Sequence, residues 1–313
     1  VEGAGKILIE VEDNGSGIPA AELTLSVSRH ATSKLASADD LFRIQTLGFR
    51  GEALASIASV SHFTLESKVA EQSAAARIVV EGGRLAGQSP AGAMTGTLVR
   101  VERLFYNVPA RLSFLKQDST ERGQIDNFVT RYALAYPQIR FSLFQDGRQV
   151  LQTSGSGDRR EVLSKLFGLE MARQMLAVVF EDQEIRIEGF ISPLSITRSN
   201  RREMIFFVNG RMVQDIAMTS ALVQAYANMI MVGRYPAAYL FINLPADQVD
   251  VNVHPAKAEV RFRKADALFS ALQRAARRAL LAYSPLAADA GMPFRAEAVG
   301  NEVAPLMPEL NFQ

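Results

Sequence analysis

Ile7, Ile9 and Val11 fall on one face of an extended segment between Lys6 and Glu12, which predicts a strand. Phe63, Leu65 and Ser67 alternate in the same way, and Thr97 to Leu104 reads as another strand. Arg77 to Arg84, Ile139 to Leu151 and Met204 to Val213 predict hairpins turned at Gly82-Gly83, Asp146-Gly147 and Asn209-Gly210. A different period governs other stretches. Leu54, Ile57 and Ala58 stand at helical spacing within Glu52 to Val60. Ile125, Phe128, Val129, Tyr132, Ala133 and Tyr136 form a helical stripe stopped by Pro137. Further helices are expected at Ala20 to Arg29, near Arg160 to Phe167, at Ile216 to Ile230 and at Leu268 to Tyr283. Strands are expected at Ile185 to Ile191, Ala238 to Leu244 and Glu259 to Arg263. Strands and helices mix without strict βαβ alternation, so the class read here is α+β.

The length of 313 residues suggests about two domains. The small, polar run Thr153 to Asp158 marks the boundary, giving units 1–155 and 156–283. From Ser284 the chain carries Pro285, Pro293, Pro305 and Pro308 with little periodicity, and 284–313 reads as the start of a disordered linker. The first residue is Val1 and the chain opens almost at once on a strand, so it reads as a piece of a longer protein. No run of apolar residues is long enough to span a membrane, so no membrane partner is expected. The absence of cysteine excludes disulfides, Cys-based zinc sites and thiol nucleophiles, and the three histidines show no metal-ligand spacing.

Net charge is only +1, but it is unevenly spread. From Ser284 onward there are one basic and four acidic residues, whereas Arg201 to Tyr283 holds eleven basic and six acidic. This basic excess fits either a nucleic-acid surface or an ordinary solvated face.

Four segments carry candidate chemistry. Asp13-Asn14-Gly15-Ser16-Gly17 follows the first strand. A carboxylate there can accept a hydrogen bond from an amino group, and its glycines admit a ring close to the backbone. A plain turn has the same composition. Thr46 to Leu54 (Thr-Leu-Gly-Phe-Arg-Gly-Glu-Ala-Leu) runs from glycine turns into a helix start, where backbone N–H groups favour phosphate. It has neither the spacing of a P-loop nor the Rossmann order. Arg29 to Lys34 is polar, as suits a loop folding over a charged ligand, and Asp250 to Lys257 places a lysine just after Pro255. By composition alone that lysine reads as a surface charge, with a phosphate sensor as the alternative.

Taken together, these strings resemble the ATP site shared by gyrase, Hsp90, histidine kinases and MutL. Arg29 to Lys34, Gly48 to Ile57, Leu104-Phe105-Tyr106-Asn107-Val108-Pro109-Ala110-Arg111 and Asp250 to Lys257 resemble the MutL family of DNA mismatch-repair proteins in particular, over roughly residues 5 to 264. The wording of Gly48 to Leu54 sets it apart from gyrase and Hsp90. The resemblance implies a GHKL (Bergerat) α/β sandwich followed by an α+β domain like domain 2 of ribosomal protein S5. It also implies ATP and Mg²⁺ as cofactors. Asp13 would bind the adenine amino group, Gly15 and Gly17 would shape the pocket, and Thr97 would back the adenine. Thr32, Ser33 and Lys34 would belong to the lid. Gly48, Phe49, Arg50, Gly51, Glu52, Ala53 and Leu54 would wrap the phosphates, and Lys257 would reach the γ-phosphate from the second domain.

The family's general-base glutamate and Mg²⁺-holding asparagine lie on a helix upstream of every segment found here. ATP hydrolysis is therefore expected of the parent protein and not of this chain. Val108 stands where the family more often has threonine. By resemblance the partners are DNA, the mismatch-recognition protein MutS, a downstream nuclease or helicase, and a second copy of the full-length protein, in the bacterial cytoplasm at the nucleoid. Arg198, Arg201, Arg202 and Arg211 cluster around the Asn209-Gly210 turn, and Arg261, Arg263 and Lys264 follow Lys257. Arg211 is the leading DNA candidate, with Arg201, Arg202 and Arg263 beside it. The alternative for this chain is a non-hydrolysing, nucleotide-gated DNA-binding or protein-interaction module.

Overall fold

In the computed structural model, which describes residues 1–29, 31, 51–182, 184–250 and 261–283, the alternating segments of the first half lie side by side in one sheet. Its strands are β1 (Leu8–Asp13), β2 (His62–Lys68), β3 (Ala75–Glu81), β4 (Arg84–Ala91) and β5 (Gly96–Glu102), in the spatial order β1-β5-β2-β3-β4. Every pairing is antiparallel. Direct partners across such a sheet point to the same face, so register sorts the side chains into rows. One row is Ile9, Val101, Phe63 and Val80, and the next is Val11, Val99, Leu65 and Ile78. The short helices α1 (Leu23–Ser26) and α2 (Ala53–Ala58) complete this core: Leu23 and Ala58 are buried in it, and Ile18, Leu54 and Ile57 pack against it. The expected Ala20–Arg29 helix is thus only one turn long. Val11 remains 58% exposed although its row is apolar.

Helix α3 (Pro109–Ser113) leads into α4 (Asp118–Ala135), followed by the hairpin β6 (Ser142–Gln145) and β7 (Arg148–Gln152). The helical stripe expected along α4 is buried only at its end. Ala133, Leu134, Ala135 and Tyr136 are enclosed while Phe128 is 56% exposed, because only the end of the helix packs into the apolar cluster on the second sheet.

That second sheet follows α5 (Arg159–Phe167) and α6 (Leu169–Gln174). It is built from β8 (Leu176–Asp182), β9 (Ile185–Ile191), β11 (Met204–Val208), β12 (Arg211–Val213) and β14 (Ala238–Asn243), in the order β12-β11-β14-β9-β8. Two residues each form β10 (Thr197–Arg198) and β13 (Tyr235–Pro236), which pair outside it. Strands β11 and β14 run parallel, joined through α7 (Ile216–Ala225). All five residues of β11 are buried, as befits a strand covered on both faces. One face meets α7 and α8 (Ala265–Ala282), and α8 buries Leu268, Ala271, Leu272, Ala275 and Ala276 at helical spacing. The other face carries Phe190, Ile205, Phe207, Tyr239 and Phe241 against α5, α6 and the end of α4. Aspartates cap two of these helices. Asp158 accepts from Arg160 N at 2.8 Å and Asp215 from Met218 N at 2.7 Å.

Two residues each form β15 (Val249–Asp250) and β16 (Arg261–Phe262), an antiparallel pair that flanks residues 251–260. The stretch from Ser284 onward lies outside the described residues. Among the described residues no helix is long and apolar enough to cross a membrane.

Candidate functional site

The third row of the first sheet is where its apolar face turns polar. Asp13 is the register partner of Thr97, and Thr97 is the partner of Ser67. The same alternation that points Ile9 toward the core puts Val11 and then Asp13 on that same face, at the more open strand end. The Asp13 carboxylate accepts from Gly15 N at 2.9 Å, which folds the loop back on its own strand. Gly17 closes it. Its φ is +78°, and a Cβ there would lie 2.1 Å from the Lys68 carbonyl oxygen. Only glycine fits so near the backbone of β2 in that conformation.

Ser67 is fully buried and holds three contacts. It takes the Ile18 N–H at 2.8 Å, lies 2.8 Å from the Gly96 carbonyl oxygen, and lies 2.9 Å from the Thr97 hydroxyl. A carbonyl only accepts, and a serine has one proton. One assignment satisfies all three contacts: Ser67 donates to Gly96 and accepts from Ile18 N and from Thr97. The Thr97 hydroxyl is then left with lone pairs. Asp13 and Thr97 accordingly present acceptors at the end of an apolar floor made by Val11 and Val99. Ser67 is a member of this site that motif reading did not single out. Its signal was a serine in the third inward position of the Phe63, Leu65, Ser67 alternation.

Gly51, Glu52, Ala53 and Leu54 stand at the start of α2, and Leu54 packs into the same core cluster as Ile18. Gly51 has φ +61°, and a Cβ would lie 2.1 Å from the Ala31 carbonyl oxygen, so the two described ends of this segment touch. The string from Leu104 to Arg111 has a structural duty here. Phe105 N bonds Val60 O at 2.7 Å and Asn107 Nδ2 bonds Ser59 O at 3.0 Å, pinning the end of α2. Thr32, Ser33, Lys34, Gly48, Phe49, Arg50 and Lys257 lie outside the described residues.

Comparison with known proteins decides the family. The model for the C-terminal domain of DNA mismatch repair proteins matches residues 163–281. The MutL of Symbiobacterium thermophilum is 46% identical over 281 residues, covering 90% of this chain and 44% of the relative. The chain belongs to the MutL family. It spans less than half the length of the curated family members it matches. The Aquifex aeolicus MutL ATPase domain complexed with ADP superimposes with a TM-score of 0.58 at 28% identity, over 77% of this chain and 81% of that one. An N-terminal domain of a DNA repair protein, 24% identical, shares the fold with a TM-score of 0.73 over 90% of this chain and 87% of its own. The fold is the α+β arrangement of the family's ATPase domains, a GHKL sandwich followed by the second α+β unit.

The arginines expected at a DNA surface divide by burial. Arg201 and Arg202 are exposed, as is Arg263, whose guanidinium is 4.0 Å from Asp247. Arg198 is held by Glu203 at 2.8 Å. Arg211 differs from the expectation: it is 6% exposed, and burial pushes its guanidinium below the usual arginine range against the influence of Tyr132 and Tyr136. It follows a turn that needs two left-handed residues, Asn209 at φ +47° and Gly210 at φ +78°, so it begins β12 inside the second unit. So enclosed, its guanidinium offers little surface to a phosphate.

Proposed function

We propose that this chain is the nucleotide-responsive region of a DNA mismatch-repair protein, an ATPase switch that couples mismatch recognition to downstream repair nucleases. The observation that carries the adenine assignment is the acceptor row at Asp13 and Thr97 beside the apolar floor of Val11 and Val99. An exocyclic amino group has two donors for two acceptors. A guanine would turn its carbonyl oxygen to the same atoms, acceptor against acceptor. In this reading Gly15 and Gly17 shape the pocket, and Thr32, Ser33 and Lys34 form the lid. Gly48, Phe49, Arg50 and Gly51 to Leu54 take the phosphates, and Lys257 senses the γ-phosphate. Bound ATP supplies a γ-phosphate that a lid and a second unit can both grip, which is how nucleotide state becomes conformation.

No Mg²⁺ ligand is assigned within this chain, since Mg²⁺ on ATP is held mainly by phosphate oxygens and water with one or two protein ligands. Nor is a general base assigned within this chain. Glu52 stands at the phosphate segment itself, and catalysis depends on positioning the attacking water in line. DNA contact is assigned to Arg201, Arg202 and Arg263, and not to the buried Arg211. MutS, a downstream nuclease or helicase, and a second copy of the longer protein are the proposed partners.

The deciding experiment measures ATP binding and Mg²⁺-dependent phosphate release on this chain, its Asp13→Asn variant, and a chain extended to the length of its relatives. We expect ATP to be preferred over GTP, Asp13→Asn to weaken ATP binding at least tenfold, and only the extended chain to turn over. Turnover by residues 1–313 alone would place a base among them and sink the assignment of roles. Salt-dependent retention of DNA without turnover by either chain would favour the non-hydrolysing clamp, whose support is the exposed pair Arg201 and Arg202.

A further inference from the structure

A cleft of about 730 Å³ opens where α4 meets the second unit, between α4, the segment before β11, and the β12–α7 connection. It is not part of the nucleotide site on the first sheet. Ile205, Met212 and Val213 contribute apolar surface, and Arg201 and Arg202 stand among its lining residues exposed to solvent. Three of its polar groups are poorly satisfied. The Tyr239 hydroxyl belongs to a residue only 2% exposed and has no hydrogen-bond partner among the described residues. Glu203 gives one carboxylate oxygen to Arg198, while Oε2 is buried and without a hydrogen-bond partner among the described residues. Arg131 pairs with no carboxylate among the described residues and reaches the Met212 sulfur at 3.7 Å, a weak acceptor. Leaving such groups unpaired costs about 1–3 kcal/mol each. A fold that keeps them beside an open cleft is arranged for something that enters it.

We propose that this cleft is a second nucleotide-binding site, which takes a base against Tyr239, Glu203 and Arg131 and the attached phosphate on Arg201 and Arg202. The inference rests on the DNA-contacting role proposed above for those two arginines, and not on the ATP assignment. The orphaned groups choose the ligand chemistry. Glu203 Oε2 needs a donor, Arg131 needs an acceptor, and the Tyr239 hydroxyl can serve as either. A base edge offers donors and acceptors side by side on a flat apolar ring. An acidic peptide would satisfy the arginines with its carboxylates and can offer Glu203 a backbone N–H, but it brings no flat ring that joins donor and acceptor on one edge against the apolar wall. The nucleotide can come free or as part of a single strand whose base is turned out of the stack; the recognising chemistry is the same.

The test uses the whole 313-residue chain carrying Asp13→Ala, so that the adenine pocket of the first unit contributes nothing. Binding of dCMP and the other three deoxynucleoside monophosphates is followed by calorimetry. Binding of a fluorescein-labelled oligothymidylate is followed by anisotropy across a salt series. Tyr239→Phe removes the hydroxyl and keeps the ring. We expect it to weaken mononucleotide binding about five- to tenfold, the scale of one hydrogen bond in a desolvated site, without lowering the melting temperature, because an unpaired buried group is lost. Glu203→Gln turns an acceptor into an amide and should change the ranking of the four monophosphates. Arg202→Gln should lower the salt slope for the oligonucleotide by about one. Binding of the oligonucleotide but of no monophosphate, with the same sensitivity to Tyr239→Phe, identifies a strand as the source. Binding of monophosphates alone identifies the free nucleotide. If Tyr239→Phe weakens monophosphate binding while Arg202→Gln leaves the salt slope untouched, the DNA reading fails and the cleft stands. If neither probe binds, or if both bind equally well to the folded Tyr239→Phe and Glu203→Gln chains, the cleft is a solvent-filled gap and the proposal is overturned.

Discussion

Ser67 has three polar neighbours and one proton to give, and that shortage orients the site. With its proton on the Gly96 carbonyl, Thr97 is turned to donate inward and accept outward. Ser67→Ala should leave the fold intact at a cost of about 1–3 kcal/mol, since Ile18 N–H and the Gly96 carbonyl lose a buried partner. It should also narrow the preference for ATP over GTP, because the Thr97 hydroxyl becomes free to rotate and donate. Equal narrowing by Ser67→Ala and Ser67→Thr, measured as the ratio of the two dissociation constants, would show that the hydroxyl is irrelevant. Gly17 makes a harder demand. Gly17→Ala combines a positive φ with a Cβ 2.1 Å from a backbone oxygen, and the Lys68 backbone has no easy way to yield. A loss of about 2 kcal/mol or more is expected in urea denaturation, together with loss of nucleotide binding. Unchanged stability would mean that the loop after β1 is not docked on β2.

At the scale of elements, α4 is the joint between the parts. Its last turn is buried against the second sheet, and the Tyr136 hydroxyl donates to the Gly210 carbonyl at 3.0 Å, tying the helix to the β11–β12 turn. Burial pushes the Tyr136 hydroxyl up to about 12, from 10.0 in the unfolded chain. A group whose folded value is raised contributes fully below the unfolded value and loses that contribution as pH climbs through the folded one. Stability should therefore hold up to about pH 10 and fall between 10 and 12. The Tyr136 share is about 2–3 kcal/mol. Urea melts at pH 9 and pH 11.5 on the parent and Tyr136→Phe chains check this. The variant should be less stable at pH 9 by about 1 kcal/mol and lose less between the two pH values. An equal loss in both chains would assign the alkaline limb to Tyr226 and Tyr239, which burial also raises.

Over the whole molecule the two sheets are protected unequally. The second has helices on both faces, and β14 lies at its centre with every residue but Asn243 buried. The first is covered near Phe63 and Leu65, while its edge strand β1 leaves Val11 largely exposed. Hydrogen exchange should find its slowest amides in β9, β11 and β14 and much faster ones in β1. Nucleotide bound at Asp13 and Thr97 should slow β1 and β5 selectively. Slowing confined to the second sheet would place the ligand elsewhere.

Much of this was legible in the residues themselves. The alternation through Phe63, Leu65 and Ser67 is the burial pattern of β2, and Asn209-Gly210 turns its hairpin in the left-handed conformations that pair of residues favours. Motif wording alone carried the family and singled out Asp13 and Thr97, because local backbone chemistry is written in consecutive residues. What consecutive residues do not record is which strand lies beside which. Register across β1, β5 and β2 is what puts Asp13, Thr97 and Ser67 in one row, and a count of protons is what orients the hydroxyls. Burial was equally out of reach. Arg201, Arg202 and Arg211 are chemically alike along the chain, yet the fold leaves the first two in solvent and closes the third inside the second unit, and an orphaned Tyr239 hydroxyl exists only because four separated segments enclose it. Local structure and chemical vocabulary belong to the sequence, since they follow from neighbours along the chain. Adjacency, desolvation and unmet hydrogen bonds belong to the tertiary structure, since they depend on residues far apart in the chain that only folding brings together.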